Sequence, residues 1–158
     1  MTEAVQIQRG ELKLPEALEL IGALNIELRQ RYPEPGATHF RLDPDEISAG
    51  RGAFLLALLG SEPVGCGAVR LLSALDAEIK RMYVKPEARR RGVAKVLLAA
   101  LEAEAKGLGA MRLLLETGVR QQEAIGLYSG AGFTGIEPFG EYMDSPLSIC
   151  MAKELAGR

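Results

Sequence analysis

The spacing of hydrophobic residues along the chain changes period several times, and each change predicts an element. Val5 and Ile7 alternate with glutamines and predict a short opening strand over Val5 to Gln8. From Pro15 to Tyr32 the apolar positions fall at intervals of three and four. Leu18, Ile21, Leu24 and Leu28 form one stripe, so this segment predicts a helix entered through Pro15. YPEPGATH, Tyr32 to His39, breaks that period with two prolines and a glycine and predicts a loop. Three β-compatible runs follow, FLLALLG, EPVGCGAVRLL and AEIKRMYV, separated by the turn-like pieces GSEP and SALD; they predict an antiparallel meander.

Helical spacing returns from Arg91 to Gly109, with Val93, Leu97 and Leu101 in line and Gly107 placed to stop the helix. MRLLLETG then reads as a strand. Strand, helix and strand in succession close a right-handed crossover, so AEIKRMYV and MRLLLETG are expected to lie parallel. QQEAIGLYSGAG predicts a further helix, and FTGIEPF and LSICMAK predict the last strands. The expected class is mixed α/β, or α+β: a mainly antiparallel sheet with one parallel pair, in a single domain over residues 1–158.

Composition narrows the functions open to such a fold. The chain has 158 residues, 47% hydrophobic and 25% charged, which suits one globular core and excludes a mostly disordered chain. No basic and apolar leader opens it, and its longest apolar runs are too short to cross a bilayer, so a cytoplasmic protein with no membrane partner is expected. Cys66 and Cys150 lie far apart in apolar segments and predict buried free thiols. One histidine, His39, and no paired cysteines leave no zinc-type ligand spacing, so no metal is expected.

Net charge is −2, yet basic residues concentrate in one place. Lys80, Arg81, Lys85, Arg89, Arg90, Arg91 and Lys95 make seven of the 19 lysines and arginines, with Glu87 the one acid among them. In PEARRRGVAKVLL, Pro86 to Leu98, three arginines precede a predicted helix whose N-terminus already carries about half a positive charge, which disfavours each cation there by about 0.3–1 kcal/mol. A solvated basic face is one explanation. An anion is the other: free helix N–H groups, a Gly92 without Cβ and a small Ala94 together suit a phosphate. No GxxxxGK[ST] run and no GxGxxG after a strand is present, so neither ATP nor a dinucleotide is the first choice. The patch is short and, apart from Tyr83, lacks interleaved aromatics, which argues against a nucleic-acid partner.

These residues carry a resemblance. VKPEARRRGVAKVLL resembles motif A of the GNAT superfamily of acyl-CoA-dependent N-acetyltransferases, through Val84, Pro86, Arg89, Gly92 and Ala94. AIGLYSGAGF resembles a second segment of that family, through Ala124, Ile125, Leu127, Tyr128, Gly132 and Phe133. The likeness is clear from Glu78 to about Phe133; Gln121 departs from it, standing where many members have asparagine. It implies a GNAT fold, a sheet flanked by about four helices, with its parallel strands splaying just past Val84 and near Glu116 to leave a slot for a thioester.

The resemblance further implies that acetyl-CoA is the co-substrate and that an amine attacks it directly in a ternary complex. The main chain of Met82, Tyr83 and Val84 would bind the pantetheine arm. The amides from Arg90 to Lys95, thus of Arg90, Arg91, Gly92, Val93, Ala94 and Lys95, would hold the pyrophosphate, with Arg89, Gln121 and Tyr128 as further cofactor contacts. An amine with pKa near 10 is mostly protonated at neutral pH, so a base is required. Glu78 lies eleven residues before Arg89, the separation of the strand glutamate that serves as base in histone-acetylating members, and strand alternation puts Glu78, Lys80, Met82 and Val84 on one face. Glu116 is the second candidate and the loop residue His39 a third. An amide at Val84 or a neighbour would face the carbonyl oxygen, and Tyr128 would act as general acid to the thiolate. Tyr32, Phe139 and Tyr142 are expected to line a pocket for a small amine or amino-acid-like acceptor. A protein lysine or N-terminus as acceptor, or an acyl-CoA-sensing module without turnover, are the other readings. Homodimerisation is common among such proteins and is the implied assembly.

Overall fold

The computed structural model describes residues 4–35 and 42–155. His39 and the rest of its loop's second half lie outside them. Seven strands form one sheet: β1 (Val5–Arg9), β2 (Gly52–Leu59), β3 (Glu62–Leu71), β4 (Asp76–Val84), β5 (Arg112–Gly118), β6 (Thr134–Ile136) and β7 (Ser148–Glu154), in the order β1-β2-β3-β4-β5-β7-β6. All neighbours are antiparallel except β4 and β5. The meander and the single parallel pair thus stand as the sequence predicts.

Three α-helices cover the sheet among the described residues, α1 (Pro15–Arg31), α2 (Val93–Gly107) and α3 (Gln122–Gly130), one fewer than expected. The remaining helical residues form short 3-10 turns at Pro44–Ile47, Pro86–Ala88 and Gly140–Tyr142. Such turns carry poor hydrogen-bond geometry and rarely grow longer.

α1 begins at Pro15 after an extended Leu14, as its proline dictates. Of its expected stripe, Ile21, Leu24 and Leu28 pack as predicted, joined by the buried Ala17 and Leu20, against Phe54, Leu56, Cys66, Ala68 and Tyr83 on one face of the sheet, whereas Leu18 is 58% exposed. On the other face α2 buries Val93, Leu97, Leu98, Leu101 and Ala105 against Leu55, Val69, Ile79, Leu113 and Leu115, with Leu127 and Tyr128 of α3 in the same core. α2 ends at Gly107, as the sequence predicts, and Gly109 two residues on takes the left-handed conformation (φ 90°).

Candidate active site

The site begins at an irregularity in β4. β3 and β4 pair regularly through Ala68 opposite Lys80, but Cys66 then faces Tyr83, so Gly67 stands against two residues, Arg81 and Met82. Arg81 takes a left-handed φ of 58°, the mark of a β-bulge. Its carbonyl accepts a hydrogen bond from the buried thiol of Cys66 at 3.4 Å, and burial pushes that thiol up to about 12. The bulge corrects the expected alternation. Glu78 lies opposite Arg70 and shares a sheet face with Tyr83, whereas Met82 and Val84 pack into the α2-side core. One extra residue between Lys80 and Met82 has inverted the pattern.

The parallel pairing of β4 with β5 ends at Ile79 and Leu115, immediately before the bulge. The strands therefore part earlier than the resemblance implied, and the whole run from Lys80 to Val84 borders a gap. Successive residues of a strand direct their backbone polar groups to opposite edges. The Lys85 N–H bonds to Val64 O on β3 at 2.8 Å, so the N–H groups of Val84 and Met82 turn to the gap. Arg89 Nε donates to Val84 O at 2.9 Å from that same side.

Two cavities open from this gap. The larger, about 410 Å³, lies between β4, the start of α2 and α3, and is bordered by Met82, Tyr83, Val84, Arg90, Gly92 and Lys95 among others. The smaller, about 120 Å³, lies between α1, β4 and β5, where Tyr32, Lys80, Arg81, Glu116 and Tyr142 reach it. Leu24, Met82, Gln121, Ala124 and Tyr128 border both, so the two cavities meet at these side chains.

The arginine run takes its shape from two left-handed residues, Arg90 (φ 67°) and Gly92 (φ 81°). α2 starts only at Val93, so Arg89, Arg90 and Arg91 precede the helix and Lys95 is the one cation of this run inside its first turn. The charge conflict expected of three arginines is correspondingly smaller. The first α-helical bond after Gly92 is Val96 N–H to Gly92 O, which leaves the N–H groups of Val93, Ala94 and Lys95 without helical acceptors, beside a Gly92 whose absent Cβ would meet nothing within 4 Å. An anion of phosphate type fits here. The arginines differ among themselves. Arg89 is held by Glu27 at 2.8 Å and by the Tyr83 ring, Arg90 borders the large cavity, and Arg91 borders a separate depression beside Glu62 and Glu87.

Acidic candidates are placed differently too. Glu78 is 1% exposed and borders neither cavity of the gap. Its Oε1 accepts from Arg70 Nε and Nη2 at 3.1 and 2.8 Å, and its Oε2 accepts from the Tyr142 hydroxyl at 2.7 Å. Arg70 also pairs with Glu46. Burial and the Glu78 charge raise the Tyr142 hydroxyl far above the usual phenol value, so it remains a donor. Glu116, in contrast, borders the small cavity and accepts from Ser148 Oγ at 2.6 Å. Tyr128 is buried, which raises its phenol above the ordinary 10.0, with Glu116 adding to the effect; its hydroxyl lies 3.6 Å from Met82 Sδ.

Tyr32 is fixed at the cavity floor by the Arg120 N–H, 2.9 Å from its hydroxyl, and by Gly118, where a Cβ would come within 1.8 Å of that hydroxyl. Gln121 accepts from the Gly118 N–H at 2.9 Å and borders both cavities. Phe139 stacks edge-on against Tyr142, 5.3 Å between ring centroids, outside the cavity lining. Sequence reasoning named neither Arg70 nor Ser148 and gave Lys80 and Arg81 no role in a pocket. The hairpin around SALD carried the signal for Arg70, since its register sets Arg70 opposite Glu78.

Residues 20–133 match the family model for the acetyltransferase (GNAT) family. A protein of Azospirillum brasilense named IAA acetyltransferase is 38% identical over 156 residues, covering 96% of this chain and 98% of that one. A Klebsiella pneumoniae structure assigned as an acyl-CoA N-acyltransferase superposes with a TM-score of 0.82 at 32% identity, over 96% of this chain and 98% of the other. A GNAT acetyltransferase of Elizabethkingia anophelis, solved with acetyl-CoA bound, superposes with a TM-score of 0.68 at 20% identity, over 96% and 98% of the two chains.

Arg70→Met should leave the carboxylate of Glu78 buried without its cation and destabilise the protein by about 3–5 kcal/mol in urea unfolding. A loss below about 1 kcal/mol would show that the Arg70 pair contributes little to the fold.

Proposed function

The chain belongs to the acetyltransferase (GNAT) family, and from that premise we propose that it transfers the acetyl group of acetyl-CoA to the amine of a small acceptor by direct attack. The observation that carries this reading is the meeting of two cavities at Met82 and Tyr128, one reaching an open helix N-terminus and the other ending among polar side chains. The donor set suits coenzyme A: Val93, Ala94 and Lys95 N–H groups with the Arg90 side chain for the pyrophosphate, and the unpaired edge of β4 for the amide-bearing arm. The co-substrate supplies a thioester carbonyl, which an uncharged amine attacks with release of a thiolate.

Each residue's task follows from its place. The Met82 N–H faces the gap where the cavities meet and can donate to a carbonyl oxygen as negative charge grows there. Glu116 borders the acceptor cavity and is the base this reading favours for the ammonium proton. Glu78, with both oxygens engaged, positions Tyr142 at the cavity wall. A thiolate of pKa about 8.5 leaves with little help, and a phenol held above its ordinary value donates a hydrogen bond more readily than its proton, so Tyr128 stabilises the leaving sulfur by hydrogen bonding.

Thiol release from acetyl-CoA over an amine panel tests the activity; binding of acetyl-CoA with no release from any amine would make the protein a sensor instead. Glu116→Gln should lower kcat by about 10²–10⁴-fold with acetyl-CoA affinity unchanged, while Glu78→Gln should act mainly on stability. The reverse pattern would return the base to Glu78. In calorimetric titration Arg90→Glu should weaken coenzyme A about tenfold or more and Arg91→Glu by much less; equal losses would contradict the placement of Arg90, and not Arg91, at the larger cavity.

A further inference from the structure

A row of hydroxyls stands behind the Glu116 carboxylate. Its Oε2 accepts from Ser148 Oγ at 2.6 Å, and Ser148 Oγ lies 2.7 Å from Ser145 Oγ. Strand pairing builds the first contact: Gly118 of β5 faces Ser148 and Glu116 faces Cys150, so Ser148 and Glu116 are diagonal neighbours on one face of the sheet. A turn builds the second. Ser145, Pro146, Leu147 and Ser148 are closed by Ser148 N–H to Ser145 O at 3.2 Å, with proline at the second position, and the two hydroxyls come side by side.

A serine hydroxyl has one hydrogen to donate. That of Ser148 goes to Glu116, so Ser145 is the donor in the second bond and both O–H bonds point along the row towards the carboxylate. Donors aimed at a carboxylate favour its charged form, the form that takes a proton, and successive donors polarise one another. Glu116 borders the small cavity at one end of the row. Ser145, at the other end, is partly exposed and sits between the exposed Asp144 and Pro146. The row thus connects the cavity to the surface.

Resting on Glu116 as the base of the acetyl-transfer reading above, we propose that Ser148 is its positioning residue and that Ser148 and Ser145 carry the amine's proton from it to solvent. The acceptor's ammonium gives a proton to Glu116 and keeps the electron pair of that N–H bond for attack on the thioester. Once protonated, Glu116 becomes the donor, and the two serine O–H bonds swing outwards. Its proton then passes to Ser148 Oγ as the Ser148 hydrogen passes to Ser145 Oγ and the Ser145 hydrogen to a surface water. One proton leaves as hydronium, and the carboxylate is restored with both O–H bonds pointing at it again.

The test uses the amine turned over fastest among ethanolamine, benzylamine, tyramine, lysine and β-alanine, followed by thiol release at saturating acetyl-CoA. Ser148→Ala should lower kcat about tenfold, with acetyl-CoA affinity and acceptor KM little changed, and Ser148→Thr, which keeps the hydroxyl, should recover most of the loss. Ser145 does not touch Glu116 in this row, yet Ser145→Ala should lower kcat severalfold. In a Glu116→Gln background neither serine substitution should lower kcat further, because both act through that carboxylate. Losses that multiply with that of Glu116→Gln, a Ser148→Ala effect on acceptor KM alone, a Ser148→Thr enzyme as slow as Ser148→Ala, or full kcat in Ser145→Ala overturns the proposal and leaves Glu116 as base. Should Ser148→Ala misfold and lose acetyl-CoA binding, Ser145→Ala and its combination with Glu116→Gln decide alone. Full kcat in Glu116→Gln refutes the base itself and the proton path with it. No thiol release from any of these amines while acetyl-CoA binds refutes acetyl transfer, and the path falls too.

Discussion

Everything at this site depends on where β4 lets go of β5. Their parallel pairing ends at Ile79 and Leu115, and the next residues of β4 form a bulge opposite Gly67. Gly67 lets α2 pack closely there, since a Cβ would come within 2.8 Å of Leu101 Cδ1 and push that side chain aside. A bulge bends its strand and leaves an extra residue unpaired. The consequence is a strand edge, from Lys80 to Val84, along which the N–H groups of Met82 and Val84 face a cavity instead of a neighbouring strand. Sheet interiors rarely leave such groups open, because each buried unpaired one costs about 1–3 kcal/mol. A ligand with amide groups would satisfy them.

The same irregularity sorts the side chains. Met82 and Val84 go to the α2-side core, Tyr83 to the α1 side, and Arg81 and Lys80 end up together at the small cavity. Thus one inserted residue opens the strand edge towards the larger cavity and brings two cations to the smaller one. The open N-terminus of α2 lies at the far end of the larger cavity, so phosphate and thioester would bind at its opposite extremes.

Much of this was legible in the sequence. Hydrophobic periodicity located every strand and α-helix, and strand, helix, strand order alone required the parallel pair. PEARRRGVAKVLL pointed to the open N-terminus of α2, although the arginines turned out to precede the helix and to diverge, Arg89 to Glu27 and Arg91 to another surface. What could not be read was the bulge, for a register slip leaves no periodic trace when the residues on either side are IKRMYV. Missing it misplaced Met82 and Val84 relative to Glu78. The burial of Glu78 was likewise hidden, because its partners Arg70 and Tyr142 come from a neighbouring strand and from a segment 64 residues away.

The central claim is that the freed edge of β4 and the first turn of α2 form one co-substrate groove. Amide chemical-shift changes measured by NMR during an acetyl-CoA titration test it most directly. The account predicts that the Met82, Val84, Val93, Ala94 and Lys95 amides shift together along a single binding curve, while those around Arg91's depression, at Ser61 and Glu62, stay in place. Saturable shifts at Ser61 and Glu62 with Met82 and Val93 unmoved would contradict it.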